Sequence, residues 1–128
     1  MADQFFSRAE VLCLECKEEI FNPLCPDCLS KSIMAWAVNY PKIALKLNDK
    51  IRKYLEQNKK FKGSLCLKCN KEKTFECPYC FTNFIYKELK KITKDKAILF
   101  QYLTYFNFDL EHTGYWKEKE LLEQELYS

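Results

Sequence analysis

The sequence is poor in glycine, histidine and arginine, and each scarcity argues against one structural or functional feature. The 128 residues include only Gly63 and Gly114 as glycines, so few sharp turns are available and long helices are favoured. His112 is the only histidine, which disfavours a catalytic zinc site with imidazole ligands. Of the 21 basic residues only Arg8 and Arg52 are arginines, which disfavours sequence-specific reading of DNA bases.

Long apolar runs and familiar catalytic motifs are also missing. No apolar stretch reaches the roughly 18 residues of a transmembrane helix. The N-terminus lacks the basic and apolar regions of a signal peptide, so we expect a reducing, cytoplasmic environment. The chain has no phosphate-binding glycine loop, no GxSxG and no HExxH motif. We therefore predict an intracellular protein that is not an enzyme.

The eight cysteines form two similar blocks of four. Each block consists of two CxxC pairs, separated by eight residues in the first block and seven in the second. Four thiolates are the number that a tetrahedral zinc ion needs, and in a reducing compartment such pairs favour metal binding over disulfides. An iron–sulfur cluster and redox-active dithiols remain as alternatives. We predict two structural Zn²⁺ ions, one per block, bound by Cys13, Cys16, Cys25 and Cys28 and by Cys66, Cys69, Cys77 and Cys80.

A nearly constant spacing between the blocks indicates an internal duplication. Cys13 and Cys66 are 53 positions apart, and Cys28 and Cys80 are 52 apart. Each block is followed by apolar residues spaced three and four apart, which is typical of helices. The predicted fold is mostly α with two small four-cysteine zinc modules made of short β-hairpins, built by repeating a finger-helix-helix unit. The predicted organisation is a single compact domain over 1–128, with a first repeat at 9–61, a second repeat at 62–111 and an acidic C-terminal helix at 112–128.

One segment near the C-terminus, residues 97–108, is apolar nearly all round. Such a segment is either a central core helix or the surface of an oligomer. We favour the core, because two repeated units need a shared centre.

The paired CxxC units resemble the treble-clef and double-zinc-ribbon group of four-cysteine zinc proteins. The resemblance covers residues 11–29 and 64–81 and includes a proline that opens a helix in each block. It implies bound zinc, and commonly a role in binding nucleic acid or protein. The chain departs from the group in two ways: Lys17 and Asn70 stand where the knuckle usually carries glycine, and the linkers within the blocks are short.

Basic residues are concentrated in two stretches. Residues 42–62 hold eight lysines and arginines against two acidic residues, and residues 87–96 hold five against two. If these stretches converge, they form a surface for phosphates; otherwise they simply solvate helices. Two zinc–tetrathiolate centres of about −2 each would lower the formal charge of +3 to about −1, so net charge gives no support for nucleic acid. The candidate nucleic-acid-binding residues are Lys42, Lys46, Lys50, Arg52, Lys53, Lys59, Lys60, Lys90 and Lys91.

The predicted function is that of a non-catalytic zinc protein that binds nucleic acid or belongs to a nucleic-acid-associated complex. The alternative is a protein–protein adaptor, homodimeric through residues 97–108. A redox or metal-handling protein that uses the CxxC pairs directly is a third, less favoured interpretation. No membrane partner is expected.

Overall fold

The computed structural model describes residues 12–20, 23–106 and 121–126, and these are mostly helical. Residues 121–126 are helical as well. The other elements are α1 (Pro26–Ala37), α2 (Pro41–Asn58), β1 (Ser64–Leu65), β2 (Glu72–Thr74), α3 (Pro78–Ile92) and α4 (Lys96–Tyr105). The helix starts predicted at the two CPxC pairs are therefore confirmed.

The helices begin where the local sequence favours it. Three of them, α1, α2 and α3, start with proline, whose missing N–H costs nothing in the first helical turn. The fourth, α4, follows Asp95, whose carboxylate accepts hydrogen bonds from the N–H groups of Ala97 and Ile98. A proline in the first turn or a capping carboxylate thus marks the N-terminus of each of these four helices.

One hydrophobic cluster contains residues from all four of these helices. The α2 helix contributes Ile43, Leu47 and Ile51, which are four positions apart and lie on one face. The members from the segment 97–108 are Leu99, Tyr102, Leu103 and Phe106. The prediction that this segment forms core is thus confirmed for its buried positions, although Tyr105 is 65% exposed and residues 107–108 lie outside the described part of the chain.

Polar side chains tie α4 to its neighbours inside this core. The amide oxygen of Gln101 accepts hydrogen bonds from the indole N–H of Trp36 at 3.2 Å and from the Tyr40 hydroxyl at 2.7 Å. The Tyr102 hydroxyl donates to the carbonyl oxygen of Thr82 in α3 at 2.6 Å. Because a buried donor without a partner is costly, these contacts fix the position of α4 against α1 and α3.

The second cysteine block contains a short β-hairpin, as predicted. Strands β1 and β2 are antiparallel, with Ser64 opposite Thr74 and Leu65 opposite Glu72. In the described part of the first block the equivalent pairing is a single antiparallel bridge, between Leu12 and Glu19. The hairpin prediction therefore holds fully in one block, and duplication of a whole finger-helix-helix unit stays a prediction.

The C-terminal region is described only in part. Residues 121–126 are helical, Leu122 is buried in the main core, and Glu125 forms an ion pair with Lys96 at 2.7 Å. The rest of the predicted helix at 112–128 lies outside the described residues, as do the start of the first predicted repeat, 9–11, and the end of the second, 107–111. Within the described part of the chain, no helix combines the length and the apolar character needed to cross a membrane.

Candidate metal centres and basic surface

The first CxxC pair of each block lies in a tight turn that directs a backbone N–H group at a sulfur atom. In the first turn, the N–H of Cys16 lies 3.5 Å from the Sγ atom of Cys13. In the second, the N–H of Lys68 lies 3.4 Å from the Sγ atom of Cys66. Donors of this kind stabilise a thiolate, so the turns suit sulfurs that bind a cation.

Both turns end in a left-handed residue that is not glycine. Lys17 has φ 64° and Asn70 has φ 59°, and their N–H groups donate to the carbonyl oxygens of Cys13 and Cys66, each at 2.9 Å. Asparagine tolerates this conformation better than lysine does. The Lys17 ammonium also donates to the carbonyl oxygen of Leu14 at 2.6 Å. The turn geometry of a zinc knuckle is thus present without the glycine usual in the group that the sequence resembles.

The second pair of each block lies at a helix N-terminus. Cys25 and Cys77 are the N-caps of α1 and α3, and their sulfurs accept hydrogen bonds from the N–H groups of Cys28 and Cys80, both at 3.4 Å. The positive end of the helix dipole also favours negative charge at these positions. The local structure of each pair therefore agrees with the sequence interpretation.

The grouping of the pairs into sites differs from the grouping predicted from the sequence. The structure combines the turn pair of one block with the helix pair of the other, and in each group all ligand atoms lie within 4.8 Å of one another. Site A comprises Cys13, Cys16, Cys77 and Cys80, and site B comprises Cys25, Cys28, Cys66 and Cys69. All eight predicted ligands are brought together in fours, but the prediction of one metal per sequence block is wrong, because each site takes two ligands from each block.

Backbone hydrogen bonds between the blocks account for this crossed grouping. The N–H of Leu14, in the first turn, donates to the carbonyl oxygen of Phe75 at 2.9 Å. The N–H of Leu67, in the second turn, donates to the carbonyl oxygen of Pro23 at 2.8 Å. Each turn is thereby placed against the segment that leads into the helix of the opposite block.

A second pair of reciprocal contacts lies within the sites themselves. The N–H of Cys77 points at the sulfur of Cys13, and the N–H of Cys25 points at the sulfur of Cys66, both at 3.3 Å. These donors stabilise a thiolate that comes from the other block. The two sites therefore use the same arrangement, with the roles of the blocks exchanged.

The donor atoms fit a tetrahedral metal ion. A tetrahedron with metal–sulfur bonds of about 2.3 Å has sulfur–sulfur edges of about 3.8 Å. The Sγ atoms of Cys16 and Cys77 are 3.9 Å apart in site A, and those of Cys25 and Cys69 are 3.8 Å apart in site B. All eight cysteines are free of disulfides. Two four-cysteine groups are thus placed to hold one metal ion each, which is compatible with two zinc sites.

The acidity of the thiols differs within each site. Side-chain hydrogen bonding, first from Cys77, holds the pKa of Cys13 far below its usual range. Burial acts to raise the pKa of Cys66, but backbone N–H donors, first that of Cys25, outweigh it and lower the pKa to about 6. The same contact with Cys13 raises the pKa of Cys77 to about 12. One thiolate per site is therefore stabilised by the protein, and a bound divalent cation would favour ionisation of the other three thiols.

A buried carboxylate beside site A was missed by the sequence interpretation. Glu76 is only 4% exposed, and its carboxylate accepts a hydrogen bond from the hydroxyl of Tyr54 in α2. Burial raises the pKa of Glu76 to about 7 and also raises that of Tyr54. The Tyr54 ring stacks on Phe84 with centroids 4.5 Å apart. Nothing in the sequence separates this glutamate from the exposed acidic residues, because its burial comes from the crossed packing.

The predicted nucleic-acid-binding lysines on α2 are exposed on one side of that helix. Lys42, Lys46, Lys50 and Lys53, which we call the lysine stripe, lie about 100° around the helix from the buried face of Ile43, Leu47 and Ile51. Among the described residues, Lys53 is the one lysine of the stripe that forms an ion pair, with Asp49 at 3.1 Å in the same helix. Arg52 is also exposed, but the helical turn of about 100° per residue directs it away from the stripe.

The other predicted basic residues already contact neighbours in their own segments. The contacts are Lys59 with Glu56 at 2.7 Å, Lys91 with Glu88 at 3.6 Å, Lys60 with the Phe61 ring at 5.4 Å and Lys90 with the Tyr86 ring at 4.8 Å. Such exposed interactions are weak and can be exchanged. The structure therefore distinguishes the stripe, with most of its charges unpaired among the described residues, from these four positions.

Comparisons with known proteins give no family to draw on. No protein-family model, no curated protein and no solved structure matches this chain. The candidate sites are therefore interpreted from their own chemistry. His112, the only histidine, lies outside the described residues.

Proposed function

We propose that this chain is a non-catalytic zinc protein whose lysine stripe binds the phosphates of nucleic acid. Both sites supply four cysteine ligands, which fill a tetrahedral zinc ion and leave no open position for substrate or water. Closed sites of this kind contribute folding free energy rather than chemistry. Binding is then expected on the helices that the metals hold in place.

The observation that carries the proposal is the stripe itself. Lys42, Lys46 and Lys50 are successive i, i+4 positions on α2, so their Cα atoms are about 6 Å apart along the helix. All three are exposed, and within the described part of the chain none has an acidic partner. Unpaired charges of one sign in a row attract phosphates through counterion release. Lysine contacts of this type favour backbone binding without sequence readout.

The test measures the affinity for a fluorescently labelled single-stranded oligonucleotide by anisotropy, as a function of salt. The double variant Lys46→Gln with Lys50→Gln removes two charges from the stripe. Loss of two phosphate contacts should reduce the slope of log K against log salt by about 1.4 for single strands. The matched control, Lys68→Gln with Lys71→Gln, removes two exposed charges from the second turn and should leave the slope unchanged.

Zinc content by native mass spectrometry confirms that each variant is folded before binding is compared. The proposal fails if the wild-type protein shows no binding at low salt. It also fails if the affinity does not depend on salt, or if the control lowers the slope as much as the stripe variant does.

A second candidate, a protein–protein adaptor, is favoured by one apolar surface. Val38 and Leu45 are 66% and 76% exposed, and together with Met34 and Ala44 they line a shallow depression between α1 and α2. Dimerisation through residues 97–108 is less favoured, because most of the apolar side chains described in that segment are already buried in the core of the same chain. Sedimentation at high concentration, with Leu45→Lys as the variant, tests self-association through the depression.

A further inference from the structure

A cleft of about 480 Å³ lies between the start of α1, the end of α2 and the hairpin. Its apolar lining includes Leu55, Phe61 and Phe75, and the exposed basic side chains at its edge are Arg52, Lys59 and Lys73. This volume falls within the range of pockets for small ligands, roughly 300–1,000 Å³. A mixed lining of this kind suits a ligand that has both a flat apolar part and negative charge.

The charges of the cleft favour an anion. The two acidic residues of the lining are both paired, Glu56 with Lys59 at 2.7 Å and Asp27 with Lys31 at 3.5 Å. Arg52 and Lys73 have no ion pair within the described residues. The guanidinium of Arg52 can donate two parallel hydrogen bonds to a phosphate, which lysine cannot do.

The rings supply the apolar part of the cleft. Phe61 is 37% exposed, and its ring centroid lies 5.9 Å from that of the buried Phe75, which supports it from behind. A partly exposed ring backed by a second aromatic ring can serve as a platform on which a base stacks. A purely apolar ligand would leave Arg52 and Lys73 unused, and a bare phosphate would leave Phe61 unused.

From this combination we propose that the cleft holds one nucleotide of a single-stranded nucleic acid, with its base against Phe61 and its phosphate between Arg52 and Lys73. This inference rests on the proposed function, since Arg52 belongs to the same helix as the lysine stripe. It adds a base-dependent contact to the salt-dependent contacts of the stripe. The stripe alone would not distinguish a strand with bases from one without them.

The experiment compares two labelled single strands of equal length, one with bases and one abasic throughout, by anisotropy at fixed salt. The strand with bases should bind about tenfold more tightly to the wild-type protein, as expected for one stacking contact. Phe61→Ala should abolish this preference and leave the salt slope unchanged. The control Tyr105→Ala removes an aromatic side chain that is 65% exposed on α4 and should preserve the preference.

A second variant keeps the proposal testable if Phe61→Ala does not fold, as judged by zinc stoichiometry. Arg52→Gln with Lys73→Gln keeps the rings and should lower the salt slope by about 0.7, the value for the one phosphate held between the two side chains. Equal affinity of the wild-type protein for the two strands overturns the proposal that a base binds in the cleft, but it does not affect the proposal that the stripe binds phosphates. No affinity for either strand overturns the proposed function. In that case the nucleotide cleft is tested by adding adenosine monophosphate and recording nuclear magnetic resonance shifts. Shifts confined to the cleft residues would still support the cleft as a nucleotide site, whereas their absence would refute it.

Discussion

The crossed grouping of the cysteines makes opposite predictions from a grouping by sequence block, and paired substitutions separate the two. The variant Cys16→Ser with Cys77→Ser removes two ligands from site A and leaves site B intact. The variant Cys16→Ser with Cys28→Ser removes one ligand from each site. If each block bound its own metal, the effects of the two variants would be reversed.

The expected difference is large. Structural zinc in small domains binds with about 10–16 kcal/mol, so each of four ligands accounts for roughly 3 kcal/mol, or more than a hundredfold in affinity. Cys16→Ser with Cys77→Ser should therefore retain one tightly bound zinc ion per chain. Cys16→Ser with Cys28→Ser should retain no tightly bound zinc, because sites A and B then have only three cysteine ligands each.

The assay counts zinc that resists a competing chelator of calibrated affinity, with native mass spectrometry as a second measure of stoichiometry. Cys13→Ser with Cys16→Ser calibrates the assay, since it should leave one zinc ion under either grouping. One retained zinc in Cys16→Ser with Cys28→Ser, together with none in Cys16→Ser with Cys77→Ser, would refute the crossed sites and the packing argument built on them.

Three further predictions concern stability, measured by chemical denaturation of the zinc-loaded protein. Lys17→Gly should raise the free energy of unfolding by up to about 1 kcal/mol, because glycine adopts the left-handed conformation without strain, and a loss of stability would contradict the strain argument. Gly63→Ala should disrupt the hairpin, since its Cβ would clash with the backbone carbonyl oxygen of Thr74 in β2; wild-type stability would contradict this steric argument. Tyr54→Phe should cost about 1–3 kcal/mol by leaving the Glu76 carboxylate without its donor, whereas the exposed Tyr105→Phe should cost nothing measurable; equal effects would remove that role of the hydroxyl.

The local structure around each cysteine pair could be predicted from sequence, because short-range chemistry determines it. A proline after the first cysteine of a pair marks a helix start, and Pro26 and Pro78 both occupy that position. The face of α2 followed from the spacing of Ile43, Leu47 and Ile51 in the same way. In each case the deciding interactions join residues that are at most four positions apart.

The grouping of the pairs could not be predicted by this route. Either combination gives one turn pair and one helix pair per metal, so the ligand chemistry is identical. The choice depends on long-range contacts, such as the N–H of Leu14 on the carbonyl oxygen of Phe75, that spacing does not reveal. One signal was present: linkers of eight and seven residues are short for a chain that must fold back on its own turn. Burial of Glu76 follows from the same packing and was hidden for the same reason.

Crossed sites also change what the metals do for the rest of the chain. Grouping by block would close each linker of eight or seven residues and leave α1 and α2 between two separate modules. In the structure, Cys16 and Cys77 of site A are 61 positions apart, and Cys25 and Cys69 of site B are 44 apart. Closing loops of that length costs about 1.5 kcal/mol more per site than closing the short linkers.

The crossed sites enclose α2 without taking a ligand from it. Residues 41–58, which form α2, lie within both closed loops and supply no ligand to either metal. The position of α2 is fixed instead by its buried face and by Tyr54, whose hydroxyl reaches the carboxylate next to Cys77. Because the two cysteine groups join the chain on both sides of α2, we expect loss of either metal to weaken the packing that positions the basic stripe, although no stripe residue is near a ligand in sequence.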